Sequence, residues 1–485
     1  MFQINRSPIL FAPFLLLIMI LATGCKGPEE AKPNILLIFI DDLGWTAPSC
    51  YGNEHVNTVH IDRLATEGMK FTDAYVTPQC TPSRASLLTG QHNARNGMWH
   101  VIPYYDFPWA RLKEPGYVEN LPRNTYTLPK ALQENGYTTA LLGKWHLTHN
   151  ENGYYTYLFD SAKHYYGFDY VNPMTDPTEY QSYGDKGVNF LTGEAIRFME
   201  KHTAEPFFIY LSHHTIHGPV LAPDNLVEKY LEKGYPEEGL HNATYLGAIE
   251  HIDQSTGLLL DALDKLGISD NTVVIFLSDN GGVDRNFSIA PLRYGKGTVY
   301  EGGIRVPFLI RWPGKIPAGK ESHYPVHVTD FFPTLVELAG GNLREGAILD
   351  GTSLVPVLLE PTPNSHSHTN QEPRPLFWYC PLYDALWGAT PAAMVRQGKY
   401  KLIKFFGDYI DREQESIYIP EGRVELYDLE KDIGETHDLS EELPEITEEL
   451  TDLLDGWLKE MEVELPSLNP DFNLEKALER GGRNR

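Results

Sequence analysis

"KPNILLIFIDDLGW", residues 32–45, decides the fold. Ile35 to Ile40 is an unbroken apolar run that ends in two acids, Asp41 and Asp42. A strand with one wet face alternates apolar and polar residues. One without alternation is covered on both faces, as in a parallel sheet. The pattern recurs at "YTTALLGKWHL" (137–147), "PFFIYLSHHTIHGP" (206–219) and "NTVVIFLSDNGG" (271–282), each run closing in a knot of polar residues. Between the runs lie helical stretches, "TLPKALQENG" (127–136) and "ATYLGAIEHIDQSTGLLLDALDKLG" (243–267), the second stopped by Gly267. Strands that alternate with helices imply an α/β fold, a large mostly parallel sheet sandwiched by helices. Ligands of such sheets bind beyond the carboxyl ends of the strands, so all four polar knots are expected on one rim.

Toward the N-terminus, Arg6 precedes the apolar run "ILFAPFLLLIMILA" (9–22), which leads into "LATGC". This reads as a lipoprotein-type signal peptide over residues 1–24, with Cys25 lipidated, or as a plain signal peptide or anchor with a coincidental cysteine. Either reading puts the mature chain outside the cytoplasm, and the lipid would attach it to a membrane. Toward the C-terminus, "LLEPTPNSHSHTNQEPRP" (358–375) shifts composition and reads as a linker or exposed loop over 361–375. A catalytic domain over 33–360 and a smaller α+β subdomain over 376–475 follow from that boundary. In the subdomain, "AAMVRQGKYKLIKFF" (392–406) and "VELYDLEKD" (424–432) read as antiparallel strands. "LPEITEELTDLLDGWLKEME" (443–462) reads as an amphipathic helix.

The 485 residues carry 40 Lys plus Arg against 66 Asp plus Glu, a formal charge of -26. That acidity excludes a broad nucleic-acid groove and leaves room for a small anion in a locally basic pocket. Of the four cysteines, Cys50 and Cys380 either pair or remain two separate thiols, and Cys80 stands apart. In "QCTPSRASLLTG" (79–90), Pro82 suits a first helical turn and Gly90 a helix stop. Cys80 therefore sits at a helix N-terminus, which favours an anion, with Arg84 one turn on. A thiol there would be acidified, as in a cysteine hydrolase, or would be buried and inert.

Asp41, Asp42, Asp279 and Asn280 offer three carboxylates and an amide oxygen at matching strand ends. An all-oxygen set suits Ca²⁺ or Mg²⁺ better than Zn²⁺. The alternative is that each pair caps a turn. Lys296 does not belong to a phosphate loop, because Ala290 and Gly297 replace the residues that loop requires. "RNGMWHVIPYYDFPWARL" (95–112) is rich in aromatics and reads equally as a sugar-binding wall or as packing for the C-terminal subdomain. Arg95, His100, Arg293 and Tyr294 are candidates for substrate contacts.

"CTPSR" at Cys80–Arg84 fits the C-x-P-S-R signature of the type I sulfatases of the alkaline-phosphatase superfamily. "GKWHL" (143–147), "SDNGG" (278–282), "LRYGKGTVYEGGIRVP" (292–307), "DFFPTLVELAG" (330–340) and "ELYDLEKDIGE" (425–435) resemble that family too. The resemblance implies a hydrolase of O-sulfate esters, with a sulfated carbohydrate as substrate. It implies that a maturing enzyme oxidises Cys80 to formylglycine, whose hydrate is stabilised by Arg84. It implies one Ca²⁺ on Asp41, Asp42, Asp279, Asn280 and residue 80, and a pocket completed by Lys144, His146, His217 and Lys296. One hydrate oxygen would attack sulfur, with Asp279 taking its proton and His217 protonating the departing alcohol. His146 would deprotonate the second hydroxyl to expel sulfate. This chain departs from the family at "TIHGP", where Ile216 precedes His217 and Gly218 separates it from Pro219, which makes His213 and His214 rivals for its role. A phosphomonoester or phosphonate hydrolase, or a noncatalytic binder of sulfated glycans, are the competing functions.

Overall fold

The structure is a computed structural model that describes residues 31–102, 106–148, 159–172, 184–359, 374–384, 386–410, 416–418, 422–477 and 479. The proposed leader with Cys25, most of the linker, and Tyr104 and Tyr105 lie outside the described residues. Asn34–Ile40 is a strand with every residue buried. It pairs in parallel with Phe207–His213 on one side and Thr272–Ser278 on the other. Thr138–Gly143 extends the sheet in parallel beside Phe207–His213. The eight-stranded sheet runs Lys320–Ser322, Met69–Phe71, Phe308–Arg311, Thr272–Ser278, Asn34–Ile40, Phe207–His213, Thr138–Gly143, Tyr170–Val171. Phe308–Arg311 runs against its two neighbours, and the other strands share one direction.

The unbroken apolar run has a direct cause. Side chains alternate across a strand, so Ile35, Leu37 and Phe39 enter one core while Leu36, Ile38 and Ile40 enter another. The first core is closed by the helices Cys80–Thr89, Leu128–Glu134 and Phe331–Leu338, through Leu87, Leu88, Leu128 and Phe331. The second is closed by Val188–Lys201 and Ala243–Leu266, through Leu191, Leu246 and Leu263. Asn242 caps the long helix at its start by accepting from the Tyr245 amide, and Gly267 ends it in the left-handed conformation at φ 67°.

Leu376–Cys380, Ala392–Gln397, Tyr400–Phe405 and Arg423–Asp428 form a separate antiparallel sheet. The helix Pro444–Glu460 buries Leu450, Leu454, Trp457 and Leu458 against it. This sheet is tied to the body of the fold by polar bonds. The Trp378 indole donates to Val76 O, Arg396 pairs with Asp73, and Lys401 pairs with Glu301 and Glu435. Cys50 and Cys380 are separate free thiols. Among the described residues no helix is long and apolar enough to cross a membrane.

Candidate active site

The parallel register brings the strand ends abreast. Ile40 lies opposite His213 and Ser278, and Gly143 lies opposite Ser212, so the residues that follow each strand share one rim. Two of them sit in a backbone conformation that side chains rarely adopt, Asp42 at φ 65° and His146 at φ 57°. Gly143 has no alternative at its position. It turns the chain at φ 100°, and a Cβ there would meet Ser212 O at 2.1 Å.

Asp41, Asp42 and Asp279 are all buried, and Asp41, Cys80 and Asp279 present ligand atoms within 4.8 Å of one another. Asp279 Oδ1 accepts from the Asp42 amide at 3.1 Å, and Oδ2 accepts from Arg84 Nε and Nη2 at 3.0 and 2.7 Å. Lys144 Nζ donates to Asp41 Oδ2 at 2.6 Å, and Lys296 Nζ to Asp42 Oδ1 at 2.5 Å. Burial, helped by Asp41, lifts the Asp279 carboxyl to about 7. Asp41 and Asp42 resist the same burial because Lys144 and Lys296 hold them below the usual carboxylate range. Asp41 Oδ1 and Asn280 Oδ1 are buried without a hydrogen-bond partner. Enclosed carboxylates, two of them clustered with Cys80, and the idle oxygens of Asp41 and Asn280 fit a hard divalent cation.

Cys80 opens the helix Cys80–Thr89, with Gln79 before it and Gly90 closing it at φ 65°. The expectation of an acidified thiol is not met. Burial raises the Cys80 thiol above its ordinary value, outweighing the Lys144 and Lys296 ammonium groups. The unmodified residue therefore stays a thiol, which is a poor nucleophile. His146 Nδ1 lies 3.3 Å from Cys80 Sγ, while Nε2 lies 2.5 Å from Ile102 O. A carbonyl can only accept, so Nε2 carries the proton and the Nδ1 lone pair faces residue 80. Burial and Lys144 hold His146 well below its ordinary pKa, which keeps it neutral with Nδ1 unprotonated.

Arg84 is fully buried. Besides Asp279, it donates to Lys144 O at 3.1 Å, Ser212 Oγ at 2.5 Å and Tyr210 Oη at 3.3 Å. Its fork thus fixes Asp279 and two strand ends, and it stands 3.9 Å from Asp41 Oδ1. His217 and His214 both lie beside Asp41, their rings 5.0 Å apart, and His214 Nε2 is 3.6 Å from Asp41 Oδ2. His217 Nδ1 donates to Gly218 O at 2.8 Å, which leaves Nε2 open. Enclosure and Lys296 lower it to about 4. His213, in contrast, is a strand residue whose Nε2 lies 3.4 Å from Ser255 Oγ, away from this cluster.

The other candidates are engaged elsewhere. Arg95 pairs with Asp350 at 2.8 Å. Arg293 packs on Tyr300 at 4.0 Å and donates to Tyr427 and Glu435 O, bracing the C-terminal sheet. Tyr294 packs against Tyr300, and His100 Nδ1 lies 3.2 Å from Val101 O. The aromatic stretch after the helix packs on the C-terminal subdomain: Trp99 meets Tyr379, Phe107 meets Tyr383, and Lys476 lies over Trp109. One residue that sequence patterns do not single out is Lys186. It is buried, donates from Nζ to His217 O, and is lowered to about 8 by burial. A lone lysine ahead of a helix has no local signal; only tertiary contact reveals it.

The family model described as Sulfatase matches residues 33–341, more than half of the chain. The chain belongs to the sulfatase family. This sulfatase also matches, over residues 293–463, the model described as N-sulphoglucosamine sulphohydrolase, C-terminal. It is 32% identical over 412 residues to the N-acetylgalactosamine-6-sulfatase of Rattus norvegicus, covering 77% of this chain and 72% of that one. It is 30% identical to a sulfatase of Formosa agariphila, covering 93% of each chain. The crystal structure of Ps i-CgsB in complex with k-i-k-neocarrahexaose shares the fold at TM-score 0.69 and 28% identity, covering 91% of this chain and 94% of that one. The protein is a sulfuric ester hydrolase of the alkaline-phosphatase-like fold.

Proposed function

We propose that this sulfatase removes O-sulfate from sulfated carbohydrates outside the cytoplasm, anchored by lipid on Cys25. The observation that carries it is the convergence of Cys80, the unprotonated Nδ1 of His146 and the Lys144 and Lys296 ammonium groups around one acidic cluster. A carbohydrate substrate is supported by relatives named for N-acetylgalactosamine 6-sulfate and solved with neocarrahexaose. Asp41, Asp42, Asp279 and Asn280, with residue 80, would hold Ca²⁺, for which the idle oxygens of Asp41 and Asn280 are suited. When bound, that ion supplies positive charge for the nonbridging sulfate oxygens. Oxidation of Cys80 by a formylglycine-generating enzyme supplies a hydrated aldehyde with two hydroxyls in place of a high-pKa thiol.

The chain's own residues do the rest. Lys144 and Lys296 neutralise the sulfate group in a buried site where charge is weakly screened. His146 Nδ1 accepts a proton from a hydroxyl on residue 80, and its Ile102 hydrogen bond keeps the tautomer that permits this. Asp279, held in place by Arg84, is the second proton acceptor beside residue 80. His217 presents Nε2 to the departing alcohol, and the negative charge of a bound sulfate ester raises its basicity toward the acid role.

The test combines peptide mass spectrometry of residue 80, from a host able to modify it, with turnover of 4-nitrophenyl sulfate and its phosphate analogue. Conversion of the thiol to an aldehyde or its hydrate, with sulfate favoured, is expected. A retained thiol, or preference for phosphate by orders of magnitude, overturns the proposal.

A further inference from the structure

The hairpin between the strands Leu376–Cys380 and Ala392–Gln397 reaches from the C-terminal sheet to the active-site rim. Asp384 and Ala389 close it with paired backbone bonds of 3.0 Å each, and the Leu386 amide donates to Asp384 Oδ1 at 3.1 Å. The outer oxygen of Asp384 accepts from Gln79 Nε2 at 3.2 Å. Gln79 directly precedes Cys80, so the hairpin is fastened to the start of the nucleophile helix. At its tip stands Trp387, half-buried. Its ring centroid is 5.8 Å from Lys296 Nζ, and it packs so closely on Gly297 that a Cβ there would meet the Trp387 Cβ at 2.5 Å.

On the same indole lies Arg285, with Cζ 4.9 Å from the ring centroid. Its side chain is exposed, and it makes no ion pair with any other described residue. In a chain of formal charge -26, an exposed guanidinium near an anion pocket, in no ion pair with another described residue, is an unusual placement. Beside it Leu386 is 50% exposed. Nothing in the proton transfers described above uses Trp387, Leu386 or Arg285.

We infer that Trp387 and Arg285 form an outer subsite, which receives the sugar next to the sulfated one and binds an anionic group on it. The inference rests on the carbohydrate-sulfatase reading and extends it to specificity. An indole offers a flat apolar face for the C–H side of a pyranose. A guanidinium held on that indole is pre-oriented to fork onto a carboxylate or a second sulfate. Trp387 rides on an element fixed to the site, through Asp384 and Gln79 to the nucleophile helix and through Gly297 to the lysine that faces the sulfate, and Arg285 rests on its indole. The preferred substrate is then a glycan fragment with charge on two adjacent sugars.

The experiment uses full-length protein with residue 80 modified, and the variants Arg285→Gln and Trp387→Ala. The probes are 4-nitrophenyl sulfate, N-acetylgalactosamine 6-sulfate, chondroitin 6-sulfate disaccharide, its carboxyl-reduced counterpart, and carrageenan oligosaccharides with one or two sulfates. Arg285→Gln is expected to lower kcat/KM about tenfold for probes with a second anionic group, relative to their counterparts without it. The arm with the larger loss, uronate or sulfate, names the anion. Trp387→Ala is expected to lower kcat/KM about tenfold for oligosaccharides relative to the monosaccharide. A purely structural role would depress all probes together, and unchanged ratios in active variants overturn the subsite alone. Wild-type protein that cleaves 4-nitrophenyl sulfate but no sulfated sugar overturns the carbohydrate reading and the subsite with it.

Discussion

Replacement of Lys401 by Met tests how the C-terminal sheet is bolted to the catalytic body. Lys401 Nζ lies 3.1 Å from Glu301 Oε1 and 2.8 Å from Glu435 Oε1, and all three side chains are fully buried. Glu301 also pairs with Arg305 at 2.6 Å, and Glu435 accepts from the Glu301 amide at 2.6 Å. With the lysine present, burial lifts the Glu435 carboxyl to about 7, while Lys401 and Arg305 hold Glu301 at about 2. Met fills similar volume but removes the charge, so two buried carboxylates face each other, with Arg305, Arg396 and the Tyr75 hydroxyl left to support Glu301. Breaking a buried ion pair in this way costs about 3–5 kcal/mol.

The cost depends on pH. A carboxyl whose folded pKa is raised stabilises below its unfolded value and loses that contribution as pH rises through the folded value. In Lys401→Met the Glu435 carboxyl rises further and stays protonated at pH 5, where the loss should stay under about 2 kcal/mol. At pH 8 it must either ionise without the lysine or hold a proton that the unfolded chain has released, and the loss should reach about 4 kcal/mol. Denaturant unfolding of wild type and variant at both pH values reads the difference, with near-equal slopes required for the comparison. An equal loss at pH 5 and pH 8, or a loss below about 1 kcal/mol at pH 8, would refute the assignment of Glu435 as the high-pKa member of the pair.

Two further outcomes follow from the site and its surroundings. Burial lowers His92, packed against His327 and Trp457, from 6.5 to about 4. Its contribution to stability is therefore complete above pH 6.5 and lost as pH falls through 4, roughly 3 kcal/mol in all, and His92→Leu should flatten acid unfolding by that amount in a pH series of thermal melts. Lys186→Met removes the donor to His217 O. It is expected to lower kcat about a hundredfold on 4-nitrophenyl sulfate, and a kcat within twofold of wild type would deny Lys186 a positioning role.

Much of the catalytic rim was readable in the chain itself. A short, Ile-rich apolar run without alternation, as in Ile35–Ile40, reads as a strand covered on both faces. Several such runs separated by helices force a parallel sheet with the strand ends aligned. Asp41, Asp42, Asp279 and Asn280 follow from that periodicity, because each sits within two residues of a strand end, whereas Lys144 and His146 were singled out by the family motif. Cys80 and Arg84 were legible from local helix chemistry and their motif. What local pattern could not supply is partnership. Arg84 offered an anion contact by sequence, yet its fork is taken up mostly by Asp279, Ser212, Tyr210 and a carbonyl from other elements.

The thiol of Cys80 looked acidified at a helix start, yet desolvation by residues far along the chain outweighs the helix and the lysines. The aromatics after residue 95 carried two equal readings until packing sent them to the C-terminal subdomain. Lys186 and Trp387 have no motif at all and reach the site only because the chain folds them there. Periodicity and caps are local and survive in sequence. Burial, tautomer and charge pairing depend on which distant residues share a volume, and only the tertiary structure decides that.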